Sequence, residues 1–249
     1  MLRLFVVFMV LLPSICCAQS NKPDSIIRVP MISVSYSYQL PAADMARRFR
    51  ANSNVGVHFF WKTKKNILWG AEWSMIFSKS PRESEMLDSI KTSNGNIIDR
   101  NGEYALIRLY ERGHTACLRV GKMFPLSRRN PNSGLFFLLS AGYMQHKIRI
   151  DEIGRRTPQL SPDYKKGYDR LTSGLLTGIS AGYMLITNNR YLNGFLAADF
   201  WPAFTQSRRS INFDTMTRDT QKRLDILYGF RLGFILPLYP KVPNEFYYN

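Results

Sequence analysis

Between Leu224 and Leu238 every alternate residue is apolar: Leu224, Ile226, Tyr228, Phe230, Leu232, Phe234, Leu236 and Leu238. On the other parity lie Arg223, Asp225, Gly229, Arg231 and Gly233, which are charged or small. Fifteen residues of this alternation exclude an amphipathic helix, whose apolar positions recur at three and four. They specify a strand with one apolar face, longer than the ~9 to 11 residues a tilted strand needs to cross a bilayer.

Seven further segments repeat the pattern. Ile32, Val34, Tyr36 and Tyr38 alternate with Ser33, Ser35 and Ser37, and Val55, Val57, Phe59 and Trp61 with Gly56, His58 and Lys62. Ile67, Trp69, Ala71, Trp73, Met75 and Phe77 oppose Gly70, Glu72, Ser74 and Ser78. A fourth segment sets Ala116, Leu118 and Val120 against Cys117, Arg119 and Gly121, and a fifth sets Leu135, Phe137, Leu139, Ala141 and Tyr143 against Ser140, Gly142 and Met144. Leu175, Ile179, Ala181, Tyr183 and Leu185 face away from Gly178, Ser180 and Gly182, as do Leu192, Leu196, Ala198, Phe200 and Phe204 from Asn193, Ala197 and Asp199. The expected fold is therefore all-β, an eight-stranded antiparallel transmembrane up-and-down β-barrel.

Composition narrows the alternatives. With 45% hydrophobic, 13% aromatic and 21% charged residues, the chain is not intrinsically disordered. Beyond the first eighteen residues no apolar run approaches the ~20 that a membrane-spanning helix requires. The connections supply an independent argument. They are expected at 41–53, 64–66, 79–103, 125–134, 150–172, 188–190 and 207–221, alternately long and short. Outer-membrane barrels have this asymmetry, with short periplasmic turns and long surface loops, whereas a soluble sandwich has no cause for it.

Residues 1–18 carry Arg3, an apolar stretch from Leu4 to Leu12, Pro13, and small residues at Cys16 and Ala18, the pattern of a secretory signal peptide cleaved after Ala18. Pro13, Ser14 and Ile15 ahead of Cys16 do not suit a lipoprotein. Cleavage leaves Cys117 alone, which excludes an internal disulfide and a Cys-based zinc site. Loss of Arg3 lowers the formal net charge from +16 to +15. In a cytosolic chain such a charge would point to nucleic acid. In an exported one it points to phospholipid head groups, lipopolysaccharide phosphates or an acidic partner, or it merely solvates the surface.

A residue pattern this regular also places side chains. Eight strands enclose a lumen that side chains can fill, and Phe60, Met144, Glu72, Arg119, Asp199 and Arg231 all point into it. Glu72 with Arg119, and Asp199 with Arg231, are expected as ion pairs on adjacent strands. They form either a polar plug or an ion path. Matching segments at 133–144 (SGLFFLLSAGYM) and 173–184 (SGLLTGISAGYM) reflect the same demand on two strands, apolar outside and small inside. Arg47, Arg48, Arg108, Arg112, Lys147, Arg149, Arg208, Arg209 and Arg223 are expected as a basic outer rim suited to lipopolysaccharide phosphate. Met86, Leu87, Ile90, Tyr164 and Tyr168, in the two longest loops, are expected on a partner surface shared with a neighbouring outer-membrane protein, with packing over the barrel's own mouth as the alternative. There is no Gly-x-Ser-x-Gly elbow, no His-Glu-x-x-His motif and no motif for a cofactor or metal. His114 and His146 near the outer rim leave a lipid-modifying enzyme as an alternative, beside a small-solute pore.

The run Asp44 to Phe49, the turns Lys62 to Asn66 and Asn130 to Gly134, and the segments AGYMQHKIRI (141–150), PQLSPDYKKGYDRL (158–171), FTQSRRSINFDT (204–215) and TQKRLDILYG (220–229) carry a resemblance. The chain resembles a family of small outer-membrane β-barrel proteins from Bacteroidota. That resemblance spans nearly all of the mature chain. It implies a role as an accessory subunit of an outer-membrane machine for barrel insertion or type IX secretion, and it brings no catalytic residues. The expected organisation is a signal peptide (1–18), a periplasmic segment (19–28), the barrel (29–239) and a periplasmic tail (240–249).

Overall fold

The computed structural model describes residues 26–79, 81–83, 85–128, 130–154, 157–187 and 192–239. Eight strands follow one another: β1 (Val29–Ala43), β2 (Asn52–Lys62), β3 (Ile67–Ser78), β4 (Ile107–Pro125), β5 (Gly134–Glu152), β6 (Thr172–Leu185), β7 (Gly194–Ser207) and β8 (Lys222–Pro237). Each pairs antiparallel with the next, and β8 returns to β1, so that Val34 faces Val57 on one side and Phe234 on the other. Closure satisfies the backbone of every strand without water, the condition for any sheet in hydrocarbon.

Side-chain parity follows the sequence. Val34, Tyr36, Trp73, Leu118, Leu139, Ile179, Phe200 and Phe230 are among the large apolar residues exposed on the outer wall. A closed barrel with an apolar exterior and long loops on one side only is a transmembrane barrel of the outer-membrane type. The inner turns are tight. Asn66, at φ 56°, closes the β2–β3 hairpin with its N–H on the carbonyl of Thr63, a left-handed position that Asn tolerates better than a branched residue.

Several boundaries differ from expectation. Pairing continues to Ala43 on β1 and begins again at Asn52, so the first loop is confined to 44–51 and is occupied by helix α1 (Asp44–Arg48). β5 runs on to Glu152, while β4 starts only at Ile107 and β7 at Gly194. β4 and β5, with 19 residues each, are the longest strands and rise above the others as a two-stranded ribbon. The signal peptide and the tail at 240–249 lie outside the described residues. Of the expected periplasmic segment, Ile27 is tied to the inner turn through its N–H on Asn132 Oδ1 (3.0 Å), and Arg28 covers the Trp61 ring at 5.0 Å.

The interior is layered. At the inner end Met31, Phe60, Leu68, Met123, Phe136, Leu138, Met184 and Phe195 form an apolar plug. At the outer end the loops fold over the mouth as a cap, built from α1, a 3-10 turn (Glu85–Ile90), a second at Pro158–Leu160 and helix α2 (Pro162–Tyr168). Met45, Phe49, Met86, Leu87, Ile97, Leu160 and Tyr168 make its core, continuous with Met144, Leu176, Trp201 and Leu227 on the barrel wall. This corrects the partner-surface expectation: Met86, Leu87 and Tyr168 are buried in the cap's own core and Ile90 is half-buried against it, because the mouth offers them an apolar floor. Tyr164 alone of that set is exposed, packed edge-on to Phe213.

Candidate functional site: the sealed lumen and the outer rim

Midway down the lumen, between the two apolar layers, five ionisable side chains meet. Arg231, fully buried, bridges Glu72 Oε1 through Nη1 (2.5 Å) and Asp199 Oδ2 through Nε (2.6 Å). Arg119 donates to Glu72 Oε2 (2.7 Å), to Ser140 Oγ (3.1 Å) and to Ser180 Oγ, and Ser180 in turn donates to Asp199 Oδ1 (2.6 Å). His58 completes the ring, with Nδ1 3.2 Å from Glu72 Oε2 and Nε2 2.7 Å from Ser35 Oγ.

Both anticipated pairs are in contact, each diagonally across its strand pair: Arg119 stands opposite Gly70, two residues from Glu72, and Arg231 opposite Ala197, two residues from Asp199. The contact from Arg231 to Glu72 crosses the lumen from β8 to β3 and joins the two pairs into one network. The Trp201 ring lies under both guanidinium groups, 4.8 Å from Arg231 and 5.8 Å from Arg119. Gly178 makes room for it, since a Cβ there would stand 2.8 Å from the indole. Two arginines against two carboxylates leave no unbalanced charge, and His58 adds a further contact to Glu72, so the network tolerates its low-dielectric setting. The cavity left between Phe60, Arg119, Phe195 and Arg231 measures about 10 Å³, at the lower limit for one water molecule.

A second polar cluster lies beneath the cap. His146 Nε2 meets Asp225 Oδ2 at 2.9 Å, Thr205 Oγ1 donates to the same oxygen at 2.5 Å, and Asn52 donates to Glu111 Oε1 at 3.2 Å. His146 is buried in the lumen, whereas His114 lies on the outer wall beside Tyr143, 6.5 Å between ring centroids. The two histidines of the rim-enzyme alternative thus stand on opposite faces of the sheet and cannot serve one substrate.

The basic rim divides into two groups. Arg48 is drawn inside: Nε reaches Glu83 (3.1 Å), Nη1 reaches Thr172 Oγ1 (3.0 Å) and Nη2 the carbonyl of Arg170 (3.1 Å). Burial pulls its guanidinium below the usual arginine range, and Glu83 opposes that pull. Arg209 grips Asp169 with Nε (2.7 Å) and Nη2 (2.5 Å), Arg223 pairs with Asp219, and Arg208 donates to Ser173 Oγ (2.7 Å). These four hold loops together, which corrects their assignment to an open rim: acids take up the charge of Arg48, Arg209 and Arg223, and Ser173 holds Arg208. Arg170, which sequence reasoning missed, joins them through Glu83 (2.7 Å) and Asp214 (2.5 Å). The remaining five face outward. Arg47 is exposed beside Asp44 (3.5 Å), while Arg108, Arg112, Lys147 and Arg149 line the outside of the β4–β5 ribbon.

No family model matches the sequence, and no curated protein matches it. Among solved structures the chain is similar to Neisserial surface protein A, with a TM-score of 0.41 and 8% identity over 83% of this chain and 96% of that one. It is also similar to Ail, the attachment invasion locus protein of Yersinia pestis (TM-score 0.38, 10% identity, 84% and 100% covered). The outer membrane protein OprG from Pseudomonas aeruginosa gives a TM-score of 0.35 at 13% identity, with 83% and 96% covered.

Proposed function

We propose that this protein is a non-enzymatic, non-conducting outer-membrane barrel that serves as a structural or accessory subunit of an outer-membrane protein complex, of the kind that inserts barrels or runs type IX secretion in Bacteroidota. The supporting observation is the wall-to-wall ionic layer between two apolar layers, Glu72–Arg231–Asp199 above all. A lumen filled in this way leaves the outer wall and the cap as the surfaces with which the molecule can act.

The surface for a neighbouring protein, in this reading, is the tip of the β4–β5 ribbon. Tyr104 and Leu106 are 68% and 61% exposed, Ile98 pairs with Tyr104 in a β-bridge, and the N–H of Ile153 meets the carbonyl of Leu106 at 3.1 Å. Four exposed apolar side chains at one loop base favour a protein contact over water. The test is purification of the native protein in a gentle detergent. Co-purification of a larger barrel, lost on Tyr104→Asp with Leu106→Asp, is the expected result. Recovery of the protein alone under conditions that preserve other outer-membrane complexes would overturn the subunit role.

A further inference from the structure

The four outward cations of the β4–β5 ribbon form one panel. Along β4 the outward positions read Ala116, His114, Arg112, Tyr110 and Arg108, and along β5 Tyr143, Gln145, Lys147, Arg149 and Asp151, paired in that order. Arg112 and Lys147 therefore stand directly opposite one another. Like charges so placed repel, and an anion between them turns the repulsion into attraction. Arg112 is held in place over the Tyr110 ring (4.9 Å), with Nη1 donating to the carbonyl of Glu111 (2.7 Å).

Acids neutralise the panel only in part. Arg149 has Asp151 at 3.0 Å and Lys147 has Asp169 at 3.9 Å, while no acid pairs with Arg108 or Arg112 among the described residues. The placement is also sided: among described strand residues facing outward at the outer end, the one other Lys or Arg is Lys222 on β8. The inner face of the same ribbon carries Ile148 and Ile150 against the cap, while Arg108 and Arg149 on the outer face stay exposed.

Height identifies the occupant. Tyr143 marks the top of the apolar wall, an interfacial position for an aromatic ring. From there to Lys147 is four residues, about 10 Å of rise for a strand tilted at ~40°. The headgroup layer is about 5 to 8 Å deep on each side, so Arg112 and Lys147 stand clear of the hydrocarbon, at the outer edge of that layer, within reach of a charged lipid headgroup.

We infer that Arg112 and Lys147, flanked by Arg108 and Arg149, bind the phosphate of an outer-leaflet lipid A headgroup whose acyl chains lie against Leu118, Leu139 and Ala141 below. Arg112 and Lys147 lie below the ribbon tip, which only Arg108 adjoins, and the site needs no protein partner.

Native mass spectrometry of the detergent-solubilised protein, titrated with phosphorylated lipid A and with the same lipid dephosphorylated, tests this. Arg112→Gln with Lys147→Gln is expected to weaken the phosphorylated lipid by more than tenfold, since it removes two charged hydrogen-bond donors. Lys64→Gln with Lys65→Gln removes the same charge from the exposed inner turn and is expected to leave binding unchanged. Both changes lie outside the lumen, so each variant should keep the heat-modifiable migration of the folded barrel. Unaltered affinity in the ribbon variant, equal loss in the inner-turn variant, or equal binding of the dephosphorylated lipid would each overturn the assignment.

Discussion

Replacing Arg231 with methionine should damage folding more than any other single change in the lumen. The guanidinium makes charged contacts to Glu72 (2.5 Å) and Asp199 (2.6 Å) and lies over Trp201. Its removal affects the two acids unequally. Glu72 keeps Arg119 and His58, but Asp199 keeps only the hydroxyl of Ser180. A buried carboxylate left with one neutral donor must take up a proton, or the fold must open to hydrate it. Two hydrogen bonds to charged groups at ~1.5 to 3 kcal/mol each, and the ~3 to 5 kcal/mol typical of breaking one side of a buried pair, agree on a loss of about 4 kcal/mol.

Arg119→Met should cost less, about 1 to 3 kcal/mol, because Glu72 retains Arg231 and Asp199 retains both its partners. Removing Asp199 together with Arg231, as Asp199→Leu with Arg231→Met, should recover much of the single-variant loss, since no charge is then stranded. Urea unfolding from lipid vesicles, followed by tryptophan fluorescence and by the gel shift of the folded barrel, gives all three numbers. Equal destabilisation by Arg231→Met and Arg119→Met, or a double variant no better than Arg231→Met alone, would refute the network as described.

Two further predictions concern the barrel's ends. Pure protein in planar bilayers should show no stable channels, given the filled lumen between Phe60 and Trp201, and reproducible unitary currents would contradict it. Gly167→Leu should release the cap while sparing the barrel, because a Cβ at Gly167 would come within 2.2 Å of the Phe213 ring; limited proteolysis should then cut the 79–106 and 153–171 loops while the gel shift of the folded barrel persists.

The barrel was legible because its two constraints, lipid outside and a narrow lumen inside, both act through a period of two. His58 shows how far that reading extends. Its parity places it inside, and a turn centred on Lys65 pairs residues equidistant from it, so His58 at seven residues before must face Glu72 at seven after. The structure has that register. The contact between Arg231 and Glu72 was not legible, because it spans three strand boundaries and depends on how the closed sheet is staggered, which strand pattern alone does not encode.

The cap resisted reading for a different reason. Its contacts join loops from different hairpins, Arg48 to Glu83, Arg209 to Asp169 and Phe213 to Tyr164 and Tyr168, and no periodicity connects them. Counting charges in each loop treats every arginine as equally free. Yet Asp169 and Glu83 each engage rim arginines that are reached only once the loops have folded over the mouth, while Asp219 takes Arg223 from four residues away. Apolar residues such as Met86 and Leu87 supply the reason to fold there, since a barrel mouth floored by Ile76, Trp201 and Leu227 would otherwise present those side chains to water. Hydrophobic burial draws the loops inward and the acids then claim Arg48 and Arg209. The outward cations of β4 and β5 are fixed by strand parity to the opposite face; Lys147 reaches the cap only at 3.9 Å from Asp169, and Arg108 and Arg112 have no acid partner among the described residues.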